Sequence, residues 1–289
     1  MKNLRLFSIC LLLIPALLWQ CKPNKGTSTS STSADSITIA NPAKVDDFSA
    51  SFDSLQKGIP VFYNMYLTVD MSRLFKVDGS AFTPEWLNPV SNAANYGLSG
   101  KKALNLGVYA VDLSYIRTYN QLEKSRPYFD AMRNLSKDLG IPDDFVVKMS
   151  DRFDKNISNK DSMMKIANEI YHTTNKYLKD NERGASSVLI ILGGWTEAMS
   201  LAAHLSAEKP ANTELLSKIA DQKSSVSDLL SLLDENKTDQ LISSFITPLQ
   251  DLKNAFDKLS FDEKNPKKSA AQFKEIFGKI NSLRNQVIN

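Results

Sequence analysis

The stretch SSVLIILGGWTEAMSLAAHLSA, residues 186–207, decides the fold of this chain. As a helix, its roughly 21 residues from 187 onward would be about 30 Å long, which is the span of a small domain. Five consecutive apolar residues stand at 188–192, and Trp195, Met199 and Leu205 continue the apolar surface around the cylinder. A helix that is apolar on every side is typically buried. We therefore predict that the rest of the chain packs around this helix.

A membrane-spanning helix is the other structure that so apolar a stretch can form. Spanning a bilayer takes about 20 consecutive apolar residues, and the uninterrupted apolar run is much shorter than that. Glu197 and His204 would also lie inside the span, where ionisable groups are costly. The sequence therefore favours a buried helix of a folded domain.

Small residues mark one face of this helix at steps of four, namely Gly194, Ala198 and Ala202. Glycine in a helix interior costs about 1 kcal/mol relative to alanine, so the glycine pair at 193–194 needs a compensating interaction. A tight crossing with another helix is one explanation. A kink or a ligand pocket beside the stretch is the other.

A second apolar stretch, at 99–122, has the same character. Its apolar residues cover more than one face, so that little of its surface can be exposed. Ala103, Gly107 and Ala110 repeat the pattern of small residues. We predict that the helices at 99–122 and 187–207 are close neighbours whose small residues bring them into contact.

The first 20 residues have the layout of a secretory signal peptide. Lys2 and Arg5 precede an apolar run at 6–19. The sequence LWQC at 18–21 resembles the lipobox of bacterial lipoproteins, in which cleavage leaves a cysteine that carries acyl chains. We therefore predict a lipoprotein signal peptide at 1–20 and lipidation of Cys21, with an uncleaved anchor or an ordinary signal as the alternative.

The residues after the signal predict a tether. Serine, threonine and other small polar residues dominate 21–44, and such a segment buries too little apolar surface to become ordered. A disordered chain of this length would reach about 25 Å from the bilayer. The remaining cysteine, Cys10, lies inside the signal, so a mature chain that starts at Cys21 forms no internal disulfide.

The charge balance limits the possible partners. Loss of the signal peptide leaves 33 basic and 32 acidic residues, and so balanced a charge on an exported chain argues against a nucleic-acid partner. No aspartate or acidic cluster follows Cys21 directly. By resemblance to the sorting rules of other lipoproteins, we expect a protein that is held to the outer membrane by its N-terminal lipid and faces the periplasm.

The remaining chain, 45–289, is predicted to be a single all-helical domain. Its apolar residues recur at spacings of three and four, with almost no strand signal. Short connections favour antiparallel neighbours, so the fold class is all-α, a multi-helix bundle or array of about nine mostly antiparallel helices. The predicted helical segments are 48–56, 60–74, one that begins at Pro84, 99–122, 124–139, 143–156, 159–181, 187–207, 213–234, 239–259 and 269 to the C-terminus.

Several residues predict where these helices begin and end. Ser158 begins a pattern that resembles a capping box, and Gly184 is expected to end the helix that this pattern opens. Asn212 and Thr238 are expected to be N-caps of the next two helices. Pro248 predicts a kink or a break.

Motifs for known catalytic or metal-binding chemistry are not found. Glu169 and His172 have the spacing of two metal ligands on one helix, but a di-metal site needs a second such pair. A second pair at His204 would require a glutamate three residues earlier, but Leu201 stands at that position. Nucleophile-elbow and phosphate-loop motifs are absent as well. We predict no metal site, no cofactor and no catalytic residue.

Polar residues on the two apolar helices are the candidates for a functional site. A buried charge must be paired, because an unpaired one costs several kcal/mol. We predict a buried polar network or a pocket in which Arg117 or tyrosine hydroxyls donate to the carboxylates, while narrow solvated strips for the carboxylates are the alternative. The candidate residues are Tyr109, Asp112, Tyr115, Arg117, Asn120, Trp195, Glu197 and His204.

Four segments of the mature chain resemble a known but uncharacterised family. NLGVYAVDLSY at 105–115 and LGGWTEAM at 192–199, with NER at 181–183 and DQK at 221–223, resemble an uncharacterised family of all-helical lipoproteins from Gram-negative bacteria. The resemblance implies export, lipidation and an all-helical fold. It implies no activity.

These observations predict a lipid-anchored cell-envelope protein with a binding or scaffolding role, whose partner is another envelope protein. Binding of a small molecule in an interhelical pocket near Trp195 and Tyr109 is the alternative. An enzyme is the third choice, and it would use Asp112 or Glu197 as an acid or base with a raised pKa. An exposed apolar patch would favour a protein partner, and a concave apolar pocket would favour a small ligand.

Overall fold

The computed structural model describes residues 79–156 and 159–289, which form helices and connecting loops without any strand in these ranges. The fold is therefore all-α, as predicted. The nine α-helices of the described residues are α1 (Ser99–Thr118), α2 (Leu122–Asp138), α3 (Asp143–Asn156), α4 (Lys160–Asp180), α5 (Gly184–Glu208), α6 (Thr213–Ala220), α7 (Lys223–Glu235), α8 (Gln240–Lys258) and α9 (Ala270–Ile288). The predicted signal peptide, Cys21, the tether and the predicted helices at 48–56 and 60–74 lie outside the described residues.

Helix α5 is the centre of the fold. It contains the apolar stretch at 186–207, and almost every side chain along it is buried in one hydrophobic core. Among the described helices it is the one long and apolar enough to cross a membrane, but most of its surface is covered by the other helices. An all-round apolar helix has no face to present to water, which explains its central position.

Helices α1 and α5 cross at very short range through glycine. A Cβ atom on Gly193 would lie 1.9 Å from the carbonyl oxygen of Leu104, and one on Gly107 would lie 2.0 Å from the carbonyl oxygen of Ile190. No side chain fits at either place, so the two backbones touch directly. The prediction of close contact through small residues is confirmed. Gly194 lies further from the neighbouring backbone, with 3.4 Å between its ideal Cβ and the Gly107 oxygen.

The contacts along this crossing show that α1 and α5 run in the same direction. Gly100 lies beside Leu189 near the start of both helices, and Val111 lies beside Gly194 further along both. Helices α2, α3 and α4 connect them, and each packs against the helix before and after it. Helix α9 then packs on both α5 and α1, while α8 packs between α7 and α9.

Some predicted helix ends are correct and others are wrong. Asn212 caps α6 as predicted, because its side chain accepts a hydrogen bond from the backbone of Leu215 at 3.0 Å. The predicted helix at 213–234 is divided into α6 and α7. Asp239 rather than Thr238 caps α8, since its carboxylate accepts hydrogen bonds from two backbone amides of the first turn.

The connection between α4 and α5 also differs from the prediction. Gly184 begins α5 instead of ending α4, and the turn is made by Glu182 in a left-handed conformation with φ 60°. Asn159 caps α4 through a bond to the amide of Ser162, whereas Ser158 of the predicted capping box lies outside the described residues. The predicted helix at Pro84 is a single 3-10 turn, Pro84–Trp86.

Pro248 does not break α8, which is continuous from Gln240 to Lys258. Proline has no amide hydrogen, so the carbonyl of Ser244, four residues earlier, receives no helical hydrogen bond from it. That carbonyl instead accepts a bond from the side-chain amide of Gln286 on α9 at 3.2 Å. The neighbouring helix therefore supplies a partner for the carbonyl that Pro248 leaves free.

Candidate functional site

A buried ion pair joins α5 to α9. Both carboxylate oxygens of Glu197 accept hydrogen bonds from the guanidinium of Arg284, one from Nε at 2.6 Å and one from Nη2 at 2.8 Å. The Glu197 side chain is fully buried, and that of Arg284 is 14% exposed. Arg284 Nη2 also donates to the backbone oxygen of Trp86 at 2.9 Å. The pair therefore connects α5, α9 and the segment before α1.

Asp112 on α1 is the second buried carboxyl of this cluster, and it is also fully buried. Its Oδ2 accepts a hydrogen bond from the backbone amide of Asn88 at 3.1 Å. Burial raises the pKa of Asp112 well above its usual value, and the negative charge of Glu197 raises it further. We infer a neutral Asp112, whose proton allows the carboxyl to donate as well as accept.

Arg284 keeps its charge in this environment. Burial alone would lower the pKa of Arg284, but the hydrogen bonds to Glu197 and the negative charge of that carboxylate raise it. With Asp112 protonated, the cluster contains one anion and one cation. That arrangement satisfies the rule that buried charges occur in pairs.

Polar side chains on α1 hold the segment at 80–98, which we call the leading segment. The hydroxyl of Tyr109 donates to the carbonyl of Pro89 at 2.9 Å, and that of Tyr115 accepts a bond from the amide of Thr83 at 3.2 Å. Asp112 lies between these tyrosines on the same face of α1, since helix positions three apart are neighbours. Tyr109, Asp112 and Tyr115 therefore anchor the leading segment to α1.

The last turn of α9 is tied to the same region. Asn105 on α1 donates to the carbonyl of Val287 at 3.2 Å, and the hydroxyl of Tyr96 donates to that of Ile288, also at 3.2 Å. Asn88 connects Tyr96 and Asn105, because its side-chain amide donates to the Tyr96 hydroxyl and to the Asn105 side-chain oxygen. These hydrogen bonds hold the last turn of α9 against α1 and the leading segment.

His204 lies at the edge of the cluster in an aromatic stack. Its ring is parallel to that of Trp86, with 5.3 Å between the ring centroids. Burial lowers the pKa of His204, and the charge of Arg284 lowers it further. Tyr115 also contacts Trp86, and it stacks on Phe82. His204 and Tyr115 therefore both pack against aromatic side chains of the leading segment.

Three predicted site residues lie elsewhere. Trp195 faces α7, where its ring N–H donates to Gln222 at 3.1 Å. Arg117 faces α3 and pairs with Asp154. Asn120 is exposed just beyond α1, with φ 56°, where it makes the left-handed turn that often follows a helix. The structure therefore corrects the predicted network: its cation is Arg284, and Arg117, Asn120 and Trp195 are not part of it.

A separate apolar cavity of about 230 Å³ lies on the opposite face of α1. It is lined by side chains from five consecutive helices, α1 to α5, and carbon atoms form nearly all of its wall. Trp195 and Tyr109 do not line it, so this cavity is not the pocket that the sequence predicted beside them. Its lining includes Ala110, Arg117, Met132, Met149, Ser150 and Gly194.

A second hollow, of about 720 Å³, lies at the loop between α2 and α3. Its walls are partly polar and partly apolar, and two of its side chains, Arg133 and Asp143, form an ion pair with each other. Both are well exposed to water, which weakens electrostatic binding. This hollow is larger but open and hydrated, so the apolar cavity is the better candidate for a binding site.

No cluster of three or more metal-ligating side chains occurs in the part of the chain that the structure describes. Glu169, which has metal-ligand spacing to His172, instead pairs with Arg152 at 2.6 Å. Burial lowers the pKa of His172. The chemistry of the candidate site is therefore that of the buried ion pair and the apolar cavity.

The sequence interpretation missed Asn88, Asn105, Tyr96 and Arg284. Arg284 occurs in an amphipathic pattern whose polar residues were expected to face water. Asn105 stands within the apolar stretch at 99–122 and could have been found by the same argument that selected Asp112. Asn88 and Tyr96 lie in a loop with no periodic pattern, so no sequence signal marked them.

No protein-family model, no curated protein and no solved structure matches this chain.

Proposed function

We propose that the protein is a lipid-anchored cell-envelope protein that binds an apolar small molecule in the cavity lined by helices α1 to α5. The cavity is the single observation that carries this proposal. Ligand sites are typically concave and lined mostly by apolar side chains. A half-open hollow of about 230 Å³ whose walls are almost entirely apolar matches that description.

The size of the cavity fits a small apolar ligand. An engineered apolar cavity of about 150 Å³ stays dry and binds benzene, whereas drug-sized ligands occupy about 300–1,000 Å³. The measured volume lies between these values. The cavity opens to solvent at the edge that Ala110 forms, so a bound apolar molecule would displace water from apolar walls.

The described surface gives less support to a protein partner. Its large exposed apolar side chains are Leu98 at 73% and Leu122 at 74%. They flank the two ends of α1, about 30 Å apart along a helix of 20 residues. Two isolated residues do not form the contiguous apolar patch that marks a protein interface. Scaffolding is therefore the less favoured role.

The buried carboxyls give no support to an enzyme. Asp112 has a raised pKa, as a general acid requires, but its carboxyl and that of Glu197 are fully buried in a cluster with Arg284. Neither residue lines the apolar cavity. The geometry instead supports a structural role in which the cluster fixes the leading segment and α9.

Membrane anchoring rests on the sequence alone. The basic residues and apolar run at 1–20, the lipobox-like LWQC at 18–21 and the polar segment at 21–44 support export and lipidation of Cys21. The resemblance to an uncharacterised family of all-helical lipoproteins supports the same location. The outer membrane, facing the periplasm, remains our proposed site.

Mass spectrometry on the full protein, extracted gently from its own membrane, tests both parts of the proposal. The denatured mass should show acyl chains on a chain that starts at Cys21, and an unmodified precursor would contradict the anchor. The native spectrum should show an additional small molecule. Ala110→Trp places a large side chain at the exposed edge of the cavity, so this variant should lose the bound molecule.

Ala271→Trp is the matched control for this experiment. Ala271 is exposed on α9 and does not line the cavity, so its variant should keep the bound molecule. A native mass with no small molecule on the wild-type protein would contradict the proposed binding function. The same would follow if the molecule stayed bound in Ala110→Trp as strongly as in Ala271→Trp.

A further inference from the structure

The apolar cavity has one charged residue among the described residues that line it, Arg117. The side chain is 14% exposed, and it comes from the last turn of α1. Its guanidinium lies 5.8 Å from the centre of the Phe129 ring. A fixed cation at the edge of an otherwise apolar cavity is a feature that an uncharged ligand does not require.

The guanidinium of Arg117 is only partly used by the protein. Nη2 donates to the hydroxyl of Ser150 at 3.0 Å, and Nη1 lies 3.1 Å from an oxygen of Asp154. A guanidinium has five N–H groups, so three of them have no acceptor among the described residues. These groups remain for an acceptor that enters from the cavity.

Asp154 indicates which chemical group fits beside the guanidinium of Arg117. Its carboxylate is 46% exposed, much more than the guanidinium that it contacts. Burial raises the pKa of Asp154, the charge of Arg117 lowers it, and the charge of Asp151 raises it. An ion pair with one half-exposed partner is held weakly, because water competes for that carboxylate. A carboxylate on a ligand could therefore replace Asp154 without leaving Arg117 unpaired.

We propose that the cavity binds a single-chain amphiphile with a carboxylate head, such as a fatty acid, with the chain in the cavity and the head on Arg117. The planar guanidinium matches a carboxylate with two parallel hydrogen bonds. The cavity volume of about 230 Å³ suits one alkyl chain. This inference rests on the proposed function, since it assigns a ligand class to the same cavity.

Equilibrium dialysis with radiolabelled decanoate and decan-1-ol tests the assignment. The full chain is held in lipid nanodiscs, and empty nanodiscs provide the correction for partition into lipid. The two probes share the same chain and differ in the charged head, so the ratio of their dissociation constants reports the contribution of the head alone.

Arg117→Gln should weaken decanoate binding by about 10-fold to 100-fold, because a charge-assisted hydrogen bond is lost. Decan-1-ol binding should stay within about twofold, because an uncharged head gains little from a guanidinium. Asp154→Asn should tighten decanoate binding, since the competing carboxylate is removed. Arg126→Gln is the control, since Arg126 is exposed on α2 and does not line the cavity.

The outcomes separate the two proposals. If decan-1-ol and decanoate both bind but their affinity ratio is the same in wild type, Arg117→Gln and Asp154→Asn, the role of Arg117 is overturned and the apolar cavity remains a binding site. If neither probe binds the wild-type protein above the empty nanodiscs, the proposed function itself fails.

Discussion

At the scale of single residues, the carboxyls of Asp112 and Glu197 meet one guanidinium inside the protein. An ion pair such as Glu197 with Arg284 gains little over apolar residues, but loss of one partner would leave an uncompensated buried charge. A second ionised carboxyl beside Glu197 would add an unfavourable repulsion. The raised pKa of Asp112 is the way in which the structure avoids that repulsion.

This account predicts how stability depends on pH. Folding raises the pKa of Asp112 above its ordinary value of 3.8. The protonated carboxyl therefore makes its full contribution to stability when the pH is below 3.8. The contribution is lost as the pH rises towards the higher pKa of the folded state, by about 1.4 kcal/mol for each pH unit. Asp112→Asn should remove this loss, because an amide donates and accepts like a protonated carboxyl.

Urea unfolding of the full chain at several pH values measures this difference. The free energy of unfolding of Asp112→Asn minus that of wild type should increase as the pH rises from about 4. It should become constant above the folded-state pKa of Asp112. Asp251→Asn, a change at an exposed carboxyl of α8 outside the cluster, is the control. Parallel pH curves for wild type and Asp112→Asn would show that Asp112 is already ionised in the folded protein.

The sequence identified part of this cluster and missed the rest for a physical reason. Asp112 and Glu197 were selected because each interrupts an apolar helix, where a charge demands a partner. The partner could not be found in the same way, because Arg284 lies 87 residues from Glu197 along the chain. Helical periodicity describes the faces of one helix, but it does not say which helices meet.

At the scale of helices, the crossing of α1 and α5 depends on two glycines. Each glycine faces a carbonyl oxygen of the other helix, Gly193 that of Leu104 and Gly107 that of Ile190. Such contacts allow weak Cα–H to oxygen bonds at helix crossings. They also explain why residues of low helix propensity stand in the middle of long helices.

Alanine substitution should therefore have opposite effects at two kinds of glycine. Gly193→Ala and Gly107→Ala should each destabilise the protein by several kcal/mol, because the new methyl group overlaps backbone oxygen and the helices must move apart. Gly278→Ala on α9 should stabilise it by up to about 1 kcal/mol, since nothing lies within 4 Å of its ideal Cβ.

Thermal unfolding of the three variants measures the difference directly. All three changes raise helix propensity by the same amount. A change in melting temperature that is negative at Gly193 and Gly107 but positive at Gly278 therefore isolates the contribution of the helix crossing. A melting temperature at or above that of wild type for both Gly193→Ala and Gly107→Ala would contradict the close packing of α1 on α5.

The sequence predicted this contact but not its detailed register. Small residues at steps of three and four indicated which faces meet. They pointed to Gly194, Ala198 and Ala202 on α5, whereas the shortest approach is at Gly193, which lies about 100° around the helix from Gly194. Pro248 shows a similar limit, since whether a proline breaks a helix depends on a neighbour that can satisfy the freed carbonyl.

At the scale of the whole molecule, the two faces of α1 have different surroundings, one tightly packed and the other bordering a cavity. One face of α1 is held to α9 and the leading segment by the polar cluster, and the other borders the apolar cavity. The cavity could not be predicted from the sequence. Its walls come from five helices, and its volume depends on how far these helices stand apart, which no periodicity records.

The central claim is that this cavity accepts an apolar molecule. The most direct test is a titration of the full chain in lipid nanodiscs with decan-1-ol, followed by NMR of methyl-labelled methionine. Met132 and Met149 line the cavity, whereas Met199 is buried elsewhere on α5, and replacement of each by leucine assigns its signal. We predict saturable shifts of the Met132 and Met149 signals with Met199 unchanged. No shift of either cavity methionine, or equal shifts of all three, would contradict the claim.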